Sequence, residues 1–217
     1  MASAFLYAVS YDLGFAPNPF GGLCSLACCK PNVRARAKEG DWVVGLTGTK
    51  IKPELRCVFA MTVTRIISFD DYWTGEEFNT RRAIRNGTPK KQVGDNIYHR
   101  DDAEVGWTQE DSVHSRVDGT QCPLNTAHDT RVNRILLSDQ FVYFGDAAPA
   151  MPASVRKALA YHRNPRDYRR YDGAAMEPLI KWLGPQLTAN RNAVLSDPID
   201  FASTTKRFSS TLQRLIS

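Results

Sequence analysis

No window of this 217-residue chain approaches the roughly 18–20 consecutive apolar residues of a membrane span, so no membrane-crossing helix is expected. The N-terminus has no basic residue before its apolar part, which leaves no secretory-leader pattern and points to a soluble, cytoplasmic protein. Cysteine is scarce. Five residues, an odd number with Cys28 and Cys29 adjacent, do not form a disulfide framework at this length, and a reducing compartment is the natural reading. Also missing are the GxxxxGK[ST] phosphate loop, the GxGxxG fingerprint, the GxSxG elbow and the HExxH pair, so the commonest nucleotide-hydrolase, dehydrogenase, hydrolase and metalloprotease classes lose their support and no cofactor is expected. Cys24, Cys28 and Cys29 lack CxxC spacing. Cys122, His114 and His128 join them only if the fold brings them together, and a buried free thiol usually acts as a small hydrophobe, so no metal is expected.

What is present begins with an unusual loop. Residues 12–22 read Asp-Leu-Gly-Phe-Ala-Pro-Asn-Pro-Phe-Gly-Gly, and three glycines and two prolines in that stretch fix the backbone around Phe15 and Phe20. The loop leaves the end of a short apolar run at residues 5–11, read as a buried strand. Pro31 suits the first position of a helix through residue 38, Gly40 its left-handed stop, and residues 41–46 a second strand. Residues 55–67 read as the longest strand, paired antiparallel with its predecessor through a turn at 47–50, and Ser68 with Asp71 starts a short helix as a capping box.

Residues 80–129 are irregular, with strand hints only at 96–99 and 104–108. Two β runs at 132–137 and 140–144 follow, then helical patterns at 152–161, 176–183 and 208–216. Strands first and helices last predict an α+β fold: a small mixed or antiparallel β-barrel decorated with helices over residues 1–172, and a helical C-terminal extension over 173–217 that packs on it or meets a protein partner. Hydrophobic residues make up 42% of the chain, enough for one sizeable core.

The formal charge of +5 favours a polyanionic partner. Between residues 156 and 170, Arg156, Lys157, Arg163, Arg166, Arg169 and Arg170 face only Asp167, with Tyr161, His162 and Tyr168 interleaved and Tyr171 next in line. Cations among flat rings suit bases and phosphates, although a solvated surface has the same composition. Arg81, Arg82, Arg85, Lys90 and Lys91 form a second such cluster.

The loop at 12–20, Gly22-x-Cys24, the Leu26-Ala27 to Lys30-Pro31 step, Arg34, Gly40-Asp41-Trp42, Gly94-Asp95-Asn96-Ile97-Tyr98 and Phe141-x-Tyr143-Phe144-Gly145 follow one another in order. As a set, over about residues 4–160, they resemble the second of the nucleotide-modification-associated domain families, small bacterial and phage proteins of DNA-base modification systems. The strand order is also similar to PUA-like, ASCH and EVE domains, small barrels that hold a modified base. These resemblances imply a link to DNA modification or phage–host conflict.

The leading expectation is a binding module for a nucleotide or modified nucleobase, free or in nucleic acid. Phe15, Phe20, Tyr98 and Trp107 would enclose the base, Asn18 and Asn96 would read its edge, and Lys30, Arg34 and Arg163 or Arg166 would meet phosphate, with Asp12 and Asp41 orienting those cations and Cys24, Trp42, His114 and Asp129 completing the ligand-binding set. Two alternatives are an enzyme using Asp12, Cys24, His114 or Asp129 as acid, base or nucleophile, and an adaptor subunit of a modification complex. An enzyme needs a titratable group in the pocket with a positioned partner. A binder needs only aromatics, amides and cations.

Overall fold

The apolar run near the N-terminus sets the frame, because it is buried on both sides. In the computed structural model, which describes residues 2–100, 102 and 106–217, β1 (Ser3–Val9) lies parallel to β3 (Trp42–Thr47) and antiparallel to β10 (Tyr168–Asp172). The sheet continues through β4 (Cys57–Thr62) and β9 (Gln140–Tyr143), each antiparallel to its predecessor, to β11 (Ala193–Val194), giving the order β10-β1-β3-β4-β9-β11. Side chains alternate between its faces with the two-residue period of a strand. Ala4, Leu6, Val44, Leu46, Ala60 and Val142 pack under α5 (Ala153–Ala158) and α6 (Glu177–Ala189) through Val155, Leu179 and Leu183. Phe5, Tyr7, Val9, Val43, Phe59 and Tyr143 face the opposite way. A slip of one residue in β1 would exchange the two sets.

Over that second face lies a smaller sheet of β2 (Cys24–Leu26), β8 (Ile135–Ser138) and β5 (Arg65–Ile67), in the order β2-β8-β5. Around it sit α1 (Pro31–Arg36), α2 (Phe69–Thr74), α3 (Pro89–Gln92), the β6 (Tyr98–His99) and β7 (Thr108–Gln109) ladder, and α4 (Pro123–Thr130). Pro31 opens α1, and the Ser68–Asp71 capping box opens α2 as the sequence predicts. The strand hint at 104–108 falls partly outside the described residues, with Thr108 opening β7.

The fold is α+β, but no barrel closes among the described residues. The main sheet ends in β10 on one side and β11 on the other, so the PUA-like barrel gives way to an open mixed sheet. The expected long strand at 55–67 breaks after Thr62: β4 joins the main sheet and β5 the smaller one, which lets a single segment tie the layers together. The expected helix at 208–216 is instead a hairpin of β12 (Arg207–Ser209) and β13 (Arg214–Ile216), and of the tail's helical patterns only α6 is a long helix. Phe208 and Leu215 on that hairpin pack into the third apolar cluster, where a helix of the same sequence would have had to cover them from one face. Among the described residues no helix is long and apolar enough to cross a membrane.

Candidate functional site

A groove of about 840 Å³ opens beside the end of β1. Tyr7 to Tyr11 line one side, Phe15 and Ala16 of the Gly/Pro loop the back, the start of α1 and the exposed side of α4 another wall, and the β12–β13 hairpin the last. The loop is held as a wall by close packing: Gly14 has φ +74°, and a Cβ there would stand 2.8 Å from both the Phe20 ring and Pro198.

The turn between β2 and α1 decides what reaches the groove. Cys29 and Lys30 both adopt left-handed backbone, φ 60° and 39°, a conformation that costs a non-glycine residue about 1–2 kcal/mol. The turn splits the cysteine doublet. Cys28 is fully buried with Sγ 3.7 Å from the Asp95 carbonyl, whereas Cys29 lines the groove. The strained turn is pinned from both ends, because Cys29 N–H donates to Asp129 Oδ1 at 2.8 Å and Arg34 Nε donates to the Cys29 carbonyl at 2.9 Å.

Beside the Cys29 thiol stands His114. Its Nε2 is 3.6 Å from Sγ, and its Nδ1 is 2.7 Å from Asp129 Oδ2. A carboxylate only accepts, so Nδ1 carries a proton and Nε2 is the atom that faces sulfur. Asp129, fully buried on α4, also accepts from Tyr98 Oη at 2.9 Å and His128 Nδ1 at 3.1 Å. Phe15 meets the His114 ring edge-on at 4.8 Å between centroids, and Phe208 flanks it at 5.8 Å. Burial works against a charged imidazole here, but Asp129 and the sulfur of Cys29 outweigh it and raise His114 to about 10. Burial likewise opposes the Asp129 carboxylate, yet His114, His128 and Arg34 hold it well below the ordinary range. The result is a hydrogen-bonded chain from a groove-lining sulfur through a buried imidazole to a buried carboxylate, a geometry that supports nucleophilic chemistry on unrelated folds.

Ligand atoms of Cys28, His114 and Asp129 also lie within 4.8 Å of one another, as a cation site would require. The fit is poor. Nδ1 and Oδ2 already bond each other directly, and burial pushes the Cys28 thiol far above its ordinary pKa, so it is held as a neutral thiol.

Of the residues singled out from the sequence, Phe15, Lys30 and His114 line the groove and Asp129 stands behind His114. Tyr98 buttresses Asp129 from the core. Arg34 is a correction: it is completely buried and spends its guanidinium on the carbonyls of Cys29, Val132, Arg134 and Asp129, so it supports the turn and cannot meet phosphate. Asn18 is likewise structural, donating to the Val93 carbonyl while accepting from Phe20 N–H. Asp41 accepts from the backbone of Ser3 and Lys38, and Asn96 donates to the Tyr72 carbonyl. Phe20 packs on Phe201, Trp42 on the opposite face of the main sheet, and Trp107 on Phe69 beneath Arg100. Cys24 is buried between the layers, and burial lifts its thiol far above the ordinary value. Asp12 is outside the groove, anchoring the tail by accepting from Ile199 N–H and tied to β9 by accepting from the Tyr143 hydroxyl, and burial raises it to about 6.

The basic clusters mostly serve the fold too. Arg81 is buried among Asp95, Tyr72 and Ser25, Arg85 binds carbonyls of residues 92, 205 and 206, and Tyr161 is a core residue. Arg166 does reach the groove. There it lines the groove with Lys30, with Arg131, which donates to Asn32 Oδ1 at 3.0 Å, and with Asp167, whose carboxylate accepts from Asn32 Nδ2 at 2.7 Å. The sequence reading set Cys29 aside as a packing thiol and did not single out Tyr7, Arg131 or Phe208 for the site. The sole local cue for Cys29 is its place two residues before a proline-started helix.

The model of the family described as nucleotide modification associated domain 2 matches residues 1–205, and the chain belongs to that family. Membership ties it to nucleotide or DNA modification. No curated protein and no solved structure matches the chain.

Proposed function

We propose that this member of the family is an enzyme of nucleotide or nucleobase modification in which Cys29 is the nucleophile, His114 the general base and acid, and Asp129 the group that orients the imidazole. The observation that carries this reading is the continuous chain from Cys29 Sγ through His114 to Asp129 at the floor of a groove of ligand size. In the reacting form the proton sits on His114, whose charge is supported by Asp129, and sulfur attacks an electrophilic carbon of the bound nucleotide. His114 then returns the proton to the leaving group. Phe15, Tyr11 and Phe208 offer flat surfaces to a base, and Lys30, Arg131 and Arg166 offer positive charge to its phosphate.

The experiment is incubation of the protein with canonical and base-modified nucleotides, free and within short oligonucleotides, followed by mass analysis of both partners. The reading predicts a mass change in a nucleotide, or an adduct on the Cys29 peptide, that Cys29→Ser abolishes. Unchanged masses throughout, together with thermal stabilisation that survives Cys29→Ser, would instead support the binding module that the aromatic walls and cations also suit.

A further inference from the structure

Tyr7 is the one groove-lining side chain whose buried polar atom lacks a partner among the described residues. It points from the middle of β1 toward the second face of the sheet, is 1% exposed, and its hydroxyl has no hydrogen-bonding partner. A buried hydroxyl left unpaired costs about 1–3 kcal/mol, so such a group is expected where a ligand completes it. Tyr7 lines the groove together with Cys29, and burial and the Cys29 sulfur both raise its pKa, so the hydroxyl keeps its proton and has it to donate to a group bound there. Lys30 does not compete for the role. Its ammonium lies on the face of the Tyr7 ring, 4.9 Å from the centroid, and donates to the Asp167 carbonyl at 3.4 Å.

We infer that the groove performs acyl chemistry, with Tyr7 donating its hydroxyl proton in a hydrogen bond to the oxygen of a carbonyl that Cys29 attacks. This rests on Cys29 being the nucleophile. Sulfur forms a bond to the carbonyl carbon, the π pair moves onto oxygen, and the Tyr7 O–H stabilises that oxyanion without transferring its proton. The oxyanion then collapses, expelling the leaving group, which takes the proton from His114, and a thioester remains on Cys29 for water or an amine to resolve. The substrate class is therefore a nucleotide or base bearing an ester, thioester or amide carbonyl.

The test uses two probes on the full chain. p-Nitrophenyl acetate acylates a thiol through an oxyanion, whereas iodoacetamide alkylates it by direct displacement without one. Cys29→Ser sets the background, and peptide mapping confirms the modified residue. Tyr7→Phe keeps the ring against Phe59 and beneath Lys30. It is predicted to slow the p-nitrophenolate burst about 10²–10³-fold while leaving the alkylation rate of Cys29 and the thermal midpoint within error or slightly higher. Equal burst rates in both proteins would overturn the assignment, as would a parallel loss of burst and alkylation, which would make Tyr7 structural. Alkylation of wild-type Cys29 without any acylation would remove the acyl class. If wild-type Cys29 resists both probes, the nucleophile reading itself falls, and the role of Tyr7 with it.

Discussion

At the scale of single residues, the chemistry turns on which of three neighbouring cysteines faces solvent. Cys24, Cys28 and Cys29 look alike in sequence, and the choice is made by two left-handed residues that no local pattern announces. His114 and Asp129 were legible by residue type. Their partnership with a thiol 85 residues from His114 and 100 from Asp129 was not, because it is made by the packing of α4 and the segment before it against the start of α1. The aromatic and amide residues of the conspicuous motifs misled for a general reason: Asn18, Asp41 and Asn96 satisfy buried backbone groups, a demand as exacting as ligand binding. Two predictions belong here. Asp129→Asn should hold the imidazole in the wrong tautomer and reduce turnover, or the p-nitrophenyl acetate burst, by about 10³–10⁴-fold, whereas an unchanged rate would remove Asp129 from the centre. Arg34→Lys cannot reproduce a fork that serves four carbonyls, and urea unfolding should show a loss of about 3 kcal/mol or more. A neutral result would mean that the β2–α1 turn is held by other contacts.

At the scale of elements, hydrophobic periodicity foretold β1, β3, β4, β9 and the capped start of α2, since each is governed by its own side chains. The β12–β13 hairpin was missed because an alternating run beside a helix-like spacing is decided by what it must cover, here the apolar cluster around His114. That hairpin lies beyond residue 205, outside the family match, yet supplies a wall of the groove. The tail is positioned by one tight approach. Gly145 has φ +54°, and a Cβ on it would stand 2.2 Å from the Asp197 carbonyl, which accepts from Asp146 N–H at 2.9 Å. Gly145→Ala should therefore cost about 2 kcal/mol or more and free the tail, raising amide exchange at residues 196–200. Unaltered exchange there would show that the tail is fixed elsewhere.

For the whole molecule, strand-then-helix order indicated the α+β class, and the ordered set of motifs indicated the family that links the chain to nucleotide or DNA modification. Sheet closure was beyond the sequence, because whether β10 and β11 meet depends on twist and layer packing. Stability should also carry the mark of the buried titratable groups. His114 titrates near 10 in the fold against an ordinary 6.5, so its contribution is complete below about pH 6.5 and is lost as pH rises through about 10. Asp12, raised from 3.8 to about 6, likewise favours the fold when protonated, and its contribution disappears as pH rises through about 6. Asp129 acts in the opposite sense, losing its contribution as pH falls below the ordinary carboxylate range. Urea midpoints should accordingly decline from mildly acidic pH toward pH 10. The part of that decline between about pH 6.5 and the ordinary thiol range should vanish in His114→Gln, while the raised Cys24 and Cys28 thiols keep a decline above it, and a flat profile in the wild type would contradict the paired His114–Asp129 charges.

Activation of the Cys29 thiol by His114 sets the rate at which iodoacetamide alkylates Cys29 at pH 6, a rate followed by peptide mass in wild type and His114→Ala. Cys29 should be modified readily in the wild type and at a rate at least about ten-fold lower in the variant. Equal rates in the two proteins, or modification of Cys122 in preference to Cys29, would contradict it.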